Sequence, residues 1–163
     1  MLRIYTVKLK PLIFSLIISL GVGFLSGFLV GNSSEVYMNL VKPALSPPPA
    51  VFPVIWTILY ILMGVSAYLI YEADVSKKEK KEKKEALKIY GLQLAMNFLW
   101  SFIFFKFNLY LPAFIWLVLL FIVVVLMIKK FNKIDETAAA LQVPYALWLV
   151  FAGYLNLMIV LFN

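Results

Sequence analysis

The sequence predicts an all-α integral membrane protein: one domain formed by a bundle of five transmembrane helices. Three observations predict it. Of 163 residues 64% are hydrophobic and 14% charged, with a mean hydropathy of +0.95, so there is too little polar surface to cover a water-soluble globule. Uncharged runs cover 11–34, 43–71, 89–105, 107–128 and 137–163, each supplying most or all of the roughly 20 residues that cross a hydrocarbon core. The basic residues fall in alternate loops. Arg3, Lys8 and Lys10, the seven lysines from Lys77 to Lys88, and Lys129, Lys130 and Lys133 make thirteen of fifteen, against Lys42 and Lys106 on the other side. The positive-inside rule then places the N-terminus in the cytoplasm, and the first loop and C-terminus outside, in the cell membrane.

Cysteine and histidine are both absent. Their absence excludes disulfides, thiol nucleophiles, histidine acid–base chemistry and histidine-ligated haem, and this reading needs neither a metal nor a cofactor. No repeat of 20–50 residues is evident.

The helices are expected at about 11–31, 52–72, 86–105, 112–129 and 138–162. In the first, Ser19, Gly23, Gly27 and Gly31 recur every four residues and form a ridge for close backbone approach, within the bundle or in a dimer. The long apolar run, without a small-x-small site, argues against a cleaved signal peptide. The loop 32–50 is long for a compact bundle, and Pro47, Pro48 and Pro49 make it stiff and extended. It has the properties of a lid over a site. The second helix carries Trp56, Tyr60 and Met63 at helical spacing, with Pro53 tolerated in its first turn.

The segment 77–88 interleaves lysine with glutamate. Lys78 with Glu82 and Glu79 with Lys83 are spaced to pair along a helix, so a solvated extension of the third helix, touching anionic headgroups, is expected rather than a nucleic-acid surface. Within the third span Gln93, Asn97 and Trp100 share one side, with Gly91 and Ala95 opposite. Amides in hydrocarbon need partners, so Gln93 and Asn97 should face protein or a cavity. The fourth helix reads as packing or lipid-facing, with Trp116 an interfacial anchor. In the fifth, Tyr145, Trp148, Ala152 and Asn156 fall along one stripe, and Pro144 should kink the first turns.

Aromatic faces with a few amides suit a flat apolar ligand. Trp56, Tyr60, Trp100, Trp148, Asn97 and Asn156 supply them, and Lys42 is a candidate cation at the rim. A packed bundle interior would show the same residues.

Three clusters carry a resemblance: Tyr37, Lys42-Pro43, Pro47-Pro48, Phe52-Pro53, Trp56, Leu59-Tyr60 and Met63-Gly64; Gln93-Leu94, Asn97, Trp100-Ser101 and Phe104-Phe105; and Pro144-Tyr145, Trp148, Phe151-Ala152 and Leu155-Asn156. On these the chain resembles the translocator protein family, also called tryptophan-rich sensory proteins or peripheral benzodiazepine receptor homologues. The resemblance implies a five-helix bundle, commonly a homodimer among membrane lipids, whose pocket beneath the first loop binds porphyrins and related hydrophobic molecules. Its implied ligand-binding residues are Tyr37, Pro47, Pro48, Trp56, Tyr60, Gln93, Asn97, Trp100, Phe104, Tyr145, Trp148, Ala152 and Asn156. Sensing or regulating tetrapyrrole levels is the leading function. Translocation is the second, though no intramembrane carboxylate is present to couple ions. Light-driven porphyrin degradation through Trp56 and Trp148 is the third. This sequence has Leu45 where the family carries a loop tryptophan, and no basic residue follows Tyr154 to complete a sterol-recognition pattern.

Overall fold

A computed structural model describes residues 7–77 and 79–163. Arg3, and the Lys78–Glu82 pairing expected of the charged segment, lie outside the described residues. The elements are α1 (Leu9–Val30), α2 (Ser33–Asn39), α3 (Val51–Glu72), α4 (Lys80–Ser101) running into a π-helical turn (Phe102–Lys106), α5 (Tyr110–Asn132), α6 (Glu136–Ala140) and α7 (Val143–Phe162). Five helical units are long and apolar enough to cross a membrane: α1, α3, α4 with its π turn, α5, and α6 with α7.

Small residues set the closest approach, as they must where lipid tails remove the hydrophobic drive between helices. Ser15 Oγ donates to Gly64 O at 2.7 Å, joining α1 to α3. A methyl group on Gly64 would press on Ser19 and Leu16, and one on Gly23 would collide with the Tyr60 ring. The ridge of α1 is therefore used within the chain as far as Gly23. Gly27 meets nothing within 4 Å, and Gly31, at φ 77°, ends the helix in a backbone conformation that favours glycine.

One end of the bundle gathers the lysines. Lys8 Nζ pairs with Glu72 at 2.7 Å and Lys130 Nζ with Glu85 at 3.1 Å, linking the start of α1 to the end of α3 and the end of α5 to α4. Toward this end the interior is solid, with Met63, Ile70, Val124, Met127 and Phe131 fully buried. Ser66 Oγ donates to Ala138 O at 2.6 Å and fixes α6 against α3. The other end carries the first loop and is not solid.

Several local expectations change. The loop holds a two-turn helix, α2. Asn32 followed by Glu35 is a helix-start pattern that could have flagged it. Glu79 and Lys83 do not pair: Glu79 Oε2 accepts from the Ser76 amide at 3.0 Å and hydroxyl at 2.8 Å, while Lys83 Nζ donates to Ala73 O at 2.9 Å. Those donors hold the Glu79 carboxyl below its usual range. Pro144 does not kink one continuous helix. A turn at Leu141–Gln142 separates α6 from α7, and the proline sits in the first turn of the new helix, where its missing N–H costs nothing. Trp116 is not simply an interfacial anchor, because its Nε1 donates to Met96 O at 2.8 Å and binds α5 to α4.

Candidate functional site

A chamber of about 740 Å³ occupies the lid end. It exists because α3 packs its backbone against α1, α4 and α6, and α7 packs against α5. Between α3 and α7 the gap is bridged by rings. Trp56 of α3 meets Trp148 of α7 at 6.4 Å between centroids, edge to face at 88°, and Phe52 meets Trp148 at 6.1 Å. From α4 come Asn97, Trp100 and Ser101, and from its π turn Phe104 and Phe105. The turn closes with Phe107 N–H donating to Phe102 O at 2.9 Å. Such i to i+5 turns widen a helix, often at functional positions. Here Trp100 still stacks on Phe104, at 5.1 Å and 25°. No residue of α5 lines the chamber, whose wall of α4 and α7 it braces from behind.

The floor is a hydrogen-bonded layer. Asn97 Nδ2 donates to the Tyr145 hydroxyl at 2.9 Å, and both residues are buried. Gln93 lies below, its amide 3.9 Å from Met63 Sδ. Asn156 Nδ2 donates to Tyr110 O at 2.9 Å, leaving its Oδ1 without a partner. Among the described residues of the wall, Ser26 Oγ, Trp100 Nε1 and Trp148 Nε1 are also unpartnered. Buried polar atoms rarely stay so, and a bound molecule or water would complete them. Among the described residues no charged side chain lines the chamber.

The roof is α2 and the loop after it. Tyr37 OH donates to Pro47 O at 3.0 Å, and the Tyr37 ring stands edge-on to Phe52 at 5.0 Å. Burial pushes the Tyr37 phenol above its ordinary value. Lys42 is not a rim cation. Its Nζ donates to the carbonyls of Tyr37, Met38 and Leu40 at 2.8–2.9 Å, neutralising the C-terminal end of α2. The loop is also tied to the far end of the chain: Val41 N–H donates to Asn163 Oδ1 and Asn163 Nδ2 to Val41 O, each at 3.0 Å.

Of the sequence-derived residues, Tyr37, Trp56, Tyr60, Asn97, Trp100, Phe104, Trp148, Ala152 and Asn156 line this one chamber. Gln93 and Tyr145 lie beneath it as supports. Pro47 and Pro48 do not reach it, and Pro49 does. Pro47 instead offers its carbonyl to Tyr37. The sequence reading missed the contribution of α1, where Gly23, Phe24, Gly27 and Phe28 line one wall. Phe24 and Phe28, stacked at 6.1 Å, are also largely exposed on the bundle surface. Their i, i+4 spacing beside the glycines was the available signal.

Chamber, lid and tryptophan pair stand on the same residues as the three sequence clusters, and the TspO/MBR family model matches residues 14–161. The chain belongs to the TspO/MBR family. It is 37% identical to the tryptophan-rich protein TspO of Chlorobaculum tepidum over 88% of this chain and 90% of that one. The tryptophan-rich sensory protein of Cereibacter sphaeroides is 35% identical over 75% of this chain and 73% of its own. The translocator protein of Bos taurus is 34% identical over 88% of this chain and 83% of its own. Family membership and the five apolar helices make this an integral membrane protein. Leu45, at the loop position where the resemblance implies a tryptophan, is exposed in this TspO/MBR chain.

Proposed function

We infer that the chamber binds a flat, hydrophobic, ring-rich molecule of the porphyrin class and that the protein senses or regulates the level of that molecule in the membrane. The edge-to-face pair Trp56 and Trp148, lining with Trp100 a cavity that has no charged side chain among the described residues, carries this reading. The volume falls within the range of about 300–1,000 Å³ typical of small-molecule sites. Indole faces supply stacking surface, and the unpartnered Trp100 and Trp148 N–H groups supply donors. Carboxylates on a porphyrin would project out of the chamber toward water, because no cation among the described residues of the wall compensates for burying them.

Binding is favoured over translocation by the floor. Asn97, Tyr145 and the solid interior below them close the chamber toward the lysine-rich end, so a passage across the bundle requires that layer to separate. The same reading puts the lysine-rich end in the cytoplasm and pairs two copies, with the exposed Gly91 and Ala95 on α4 available for close packing.

Titration of protoporphyrin into the detergent-solubilised protein tests the proposal. Saturable quenching of tryptophan fluorescence is expected, with affinity at least about tenfold weaker in the Trp56→Phe, Trp148→Phe variant, from the loss of two aromatic contacts. Unaltered affinity in that variant would place the ligand elsewhere. Illumination of the complex separates binding from degradation: loss of the porphyrin band faster than in detergent alone would make the two indoles participants in photochemistry.

A further inference from the structure

A second cavity, of about 530 Å³, opens at the other end of the molecule, between the end of α3 and the first turns of α4. Its wall on α4 is Lys80, Lys83, Lys84, Leu87 and Lys88. The spacing of three and four residues puts these side chains on one helical face. Tyr71, Ala73, Asp74 and Val75 form the opposite side. Four ammonium groups thus face one carboxylate across a partly apolar cleft.

Among the other acids near this end, Glu82 on α4 is exposed and lines no part of the cleft, and three are engaged outside it. Glu72 pairs with Lys8, Glu85 with Lys130, and Glu79 with Ser76. Lys83 is also committed: its Nζ caps Ala73 O at 2.9 Å and lies 5.8 Å from the centroid of the Tyr71 ring, which holds the two walls together. Lys80, Lys84 and Lys88 are exposed and form no ion pair with a described carboxylate. They stand at i, i+4 spacing on one helical face, where like charges repel and an anion bound between them would relieve the repulsion.

Depth narrows the chemistry. Lys88 and Lys106 are separated along α4 and its π turn by about 27 Å, at 1.5 Å per residue, close to the thickness of the hydrocarbon core. Lys88 therefore lies at headgroup level, with Lys84 and Lys80 one and two turns further out. Tyr71 and Leu87 offer apolar contact just inside it.

We propose that this cleft is a binding site for a phosphate-bearing anion, with the phosphate on Lys80, Lys84 and Lys88. The apolar side formed by Tyr71, Val75 and Leu87 suits the first carbons of an acyl chain, so an anionic phospholipid fits better than a free phosphate. This site is independent of the porphyrin chamber, from which it is separated by the packed interior.

The test uses the full chain in a neutral detergent and reads modification of individual lysines by an amine-reactive reagent, using mass spectrometry. Short-chain phosphatidic acid should slow modification of Lys80, Lys84 and Lys88 several-fold while leaving Lys129 and Lys133 unchanged. Short-chain phosphatidylcholine should protect none of them. Lys80→Gln, Lys84→Gln, Lys88→Gln should lower affinity for phosphatidic acid by about fivefold per lysine, whereas Lys77→Gln, Lys129→Gln, Lys133→Gln, which removes equal charge, should lower it by less than twofold. Equal losses in the two triple variants, or uniform protection of all lysines, would overturn the site in favour of diffuse surface charge. Inorganic phosphate is the second arm. Weak protection by it, together with sensitivity of lipid binding alone to Leu87→Ser, supports a lipid headgroup. Equal protection by phosphate, with no effect of Leu87→Ser, supports a free phosphate anion at the same lysines.

Discussion

Asn97 donates its amide to the Tyr145 hydroxyl at 2.9 Å, with both side chains buried, and so joins α4 to α7 directly beneath the chamber. The bond separates two regimes of one bundle. Below it side chains fill the interior; above it the helices stand apart and large rings span the space.

Removing that bond should loosen the floor without emptying it. Tyr145→Phe keeps the ring and leaves the Asn97 donor unpaired, at an expected cost of about 1–3 kcal/mol. A double-mutant cycle with Asn97→Ala should return a coupling energy of about 0.5–2 kcal/mol, read from thermal unfolding in detergent. Additive losses would mean that the two groups act separately.

Two glycines one helical turn apart should respond oppositely. Gly23→Ala drives a methyl group into the Tyr60 ring, and overpacking of this kind costs about 1–3 kcal/mol. Gly27→Ala meets open space and should be neutral or stabilising by up to about 1 kcal/mol, through helix propensity. Gly27→Leu then projects a side chain into the chamber. It should weaken porphyrin quenching while leaving the unfolding temperature within a few degrees of the parent.

The paired hydrogen bonds between Asn163 and Val41 act as a latch on the loop. In Asn163→Ala the Val41 amide loses its acceptor, and its hydrogen exchange should quicken by about threefold to tenfold, the equivalent of one modest hydrogen bond. Exchange in α5, far from the latch, should not change.

Tyr37 makes the lid sensitive to alkali. Its phenol is raised by burial, so the neutral form is favoured in the closed lid. The associated stability is complete below the ordinary tyrosine value of about 10 and declines as pH rises through the raised value. The chain contains no cysteine, so a spin label at Leu45→Cys reports on the loop alone. Label mobility should increase above about pH 10, with the added Tyr37→Phe change abolishing that dependence.

Much of this architecture could be read from the chain directly. Five apolar runs separated by charged or proline-rich segments leave little choice, because backbone polar groups in lipid must be satisfied within helices. The observed helices extend the expected spans by a few residues at most ends. At the charged segment α4 starts at Lys80, which is the solvated helical extension expected there beyond the span beginning at about 86. Polar residues inside hydrocarbon marked Asn97 and Asn156, and the spacing of tryptophans marked Trp56, Trp100 and Trp148. Partners are less legible. Lys42, a candidate for the rim, closes α2; Glu79, spaced to pair with Lys83, accepts from Ser76; and of the three prolines Pro49 lines the chamber rather than Pro47 or Pro48.

The sequence by itself determined that this is a five-helix membrane protein with aromatic and amide residues concentrated in three spans, since hydropathy and helical spacing are properties of the chain alone. Only the tertiary structure decided that α3 and α7 stand far enough apart to leave a cavity, that Tyr145 supports its floor while Trp148 lines its wall, and that α1 supplies a further wall. The physical reason is that a periodic pattern states which residues share a face. Which neighbour that face meets, and how closely, depends on small-residue contacts such as Ser15 with Gly64 and Gly23 with Tyr60, made between residues 37 or more positions apart in the chain.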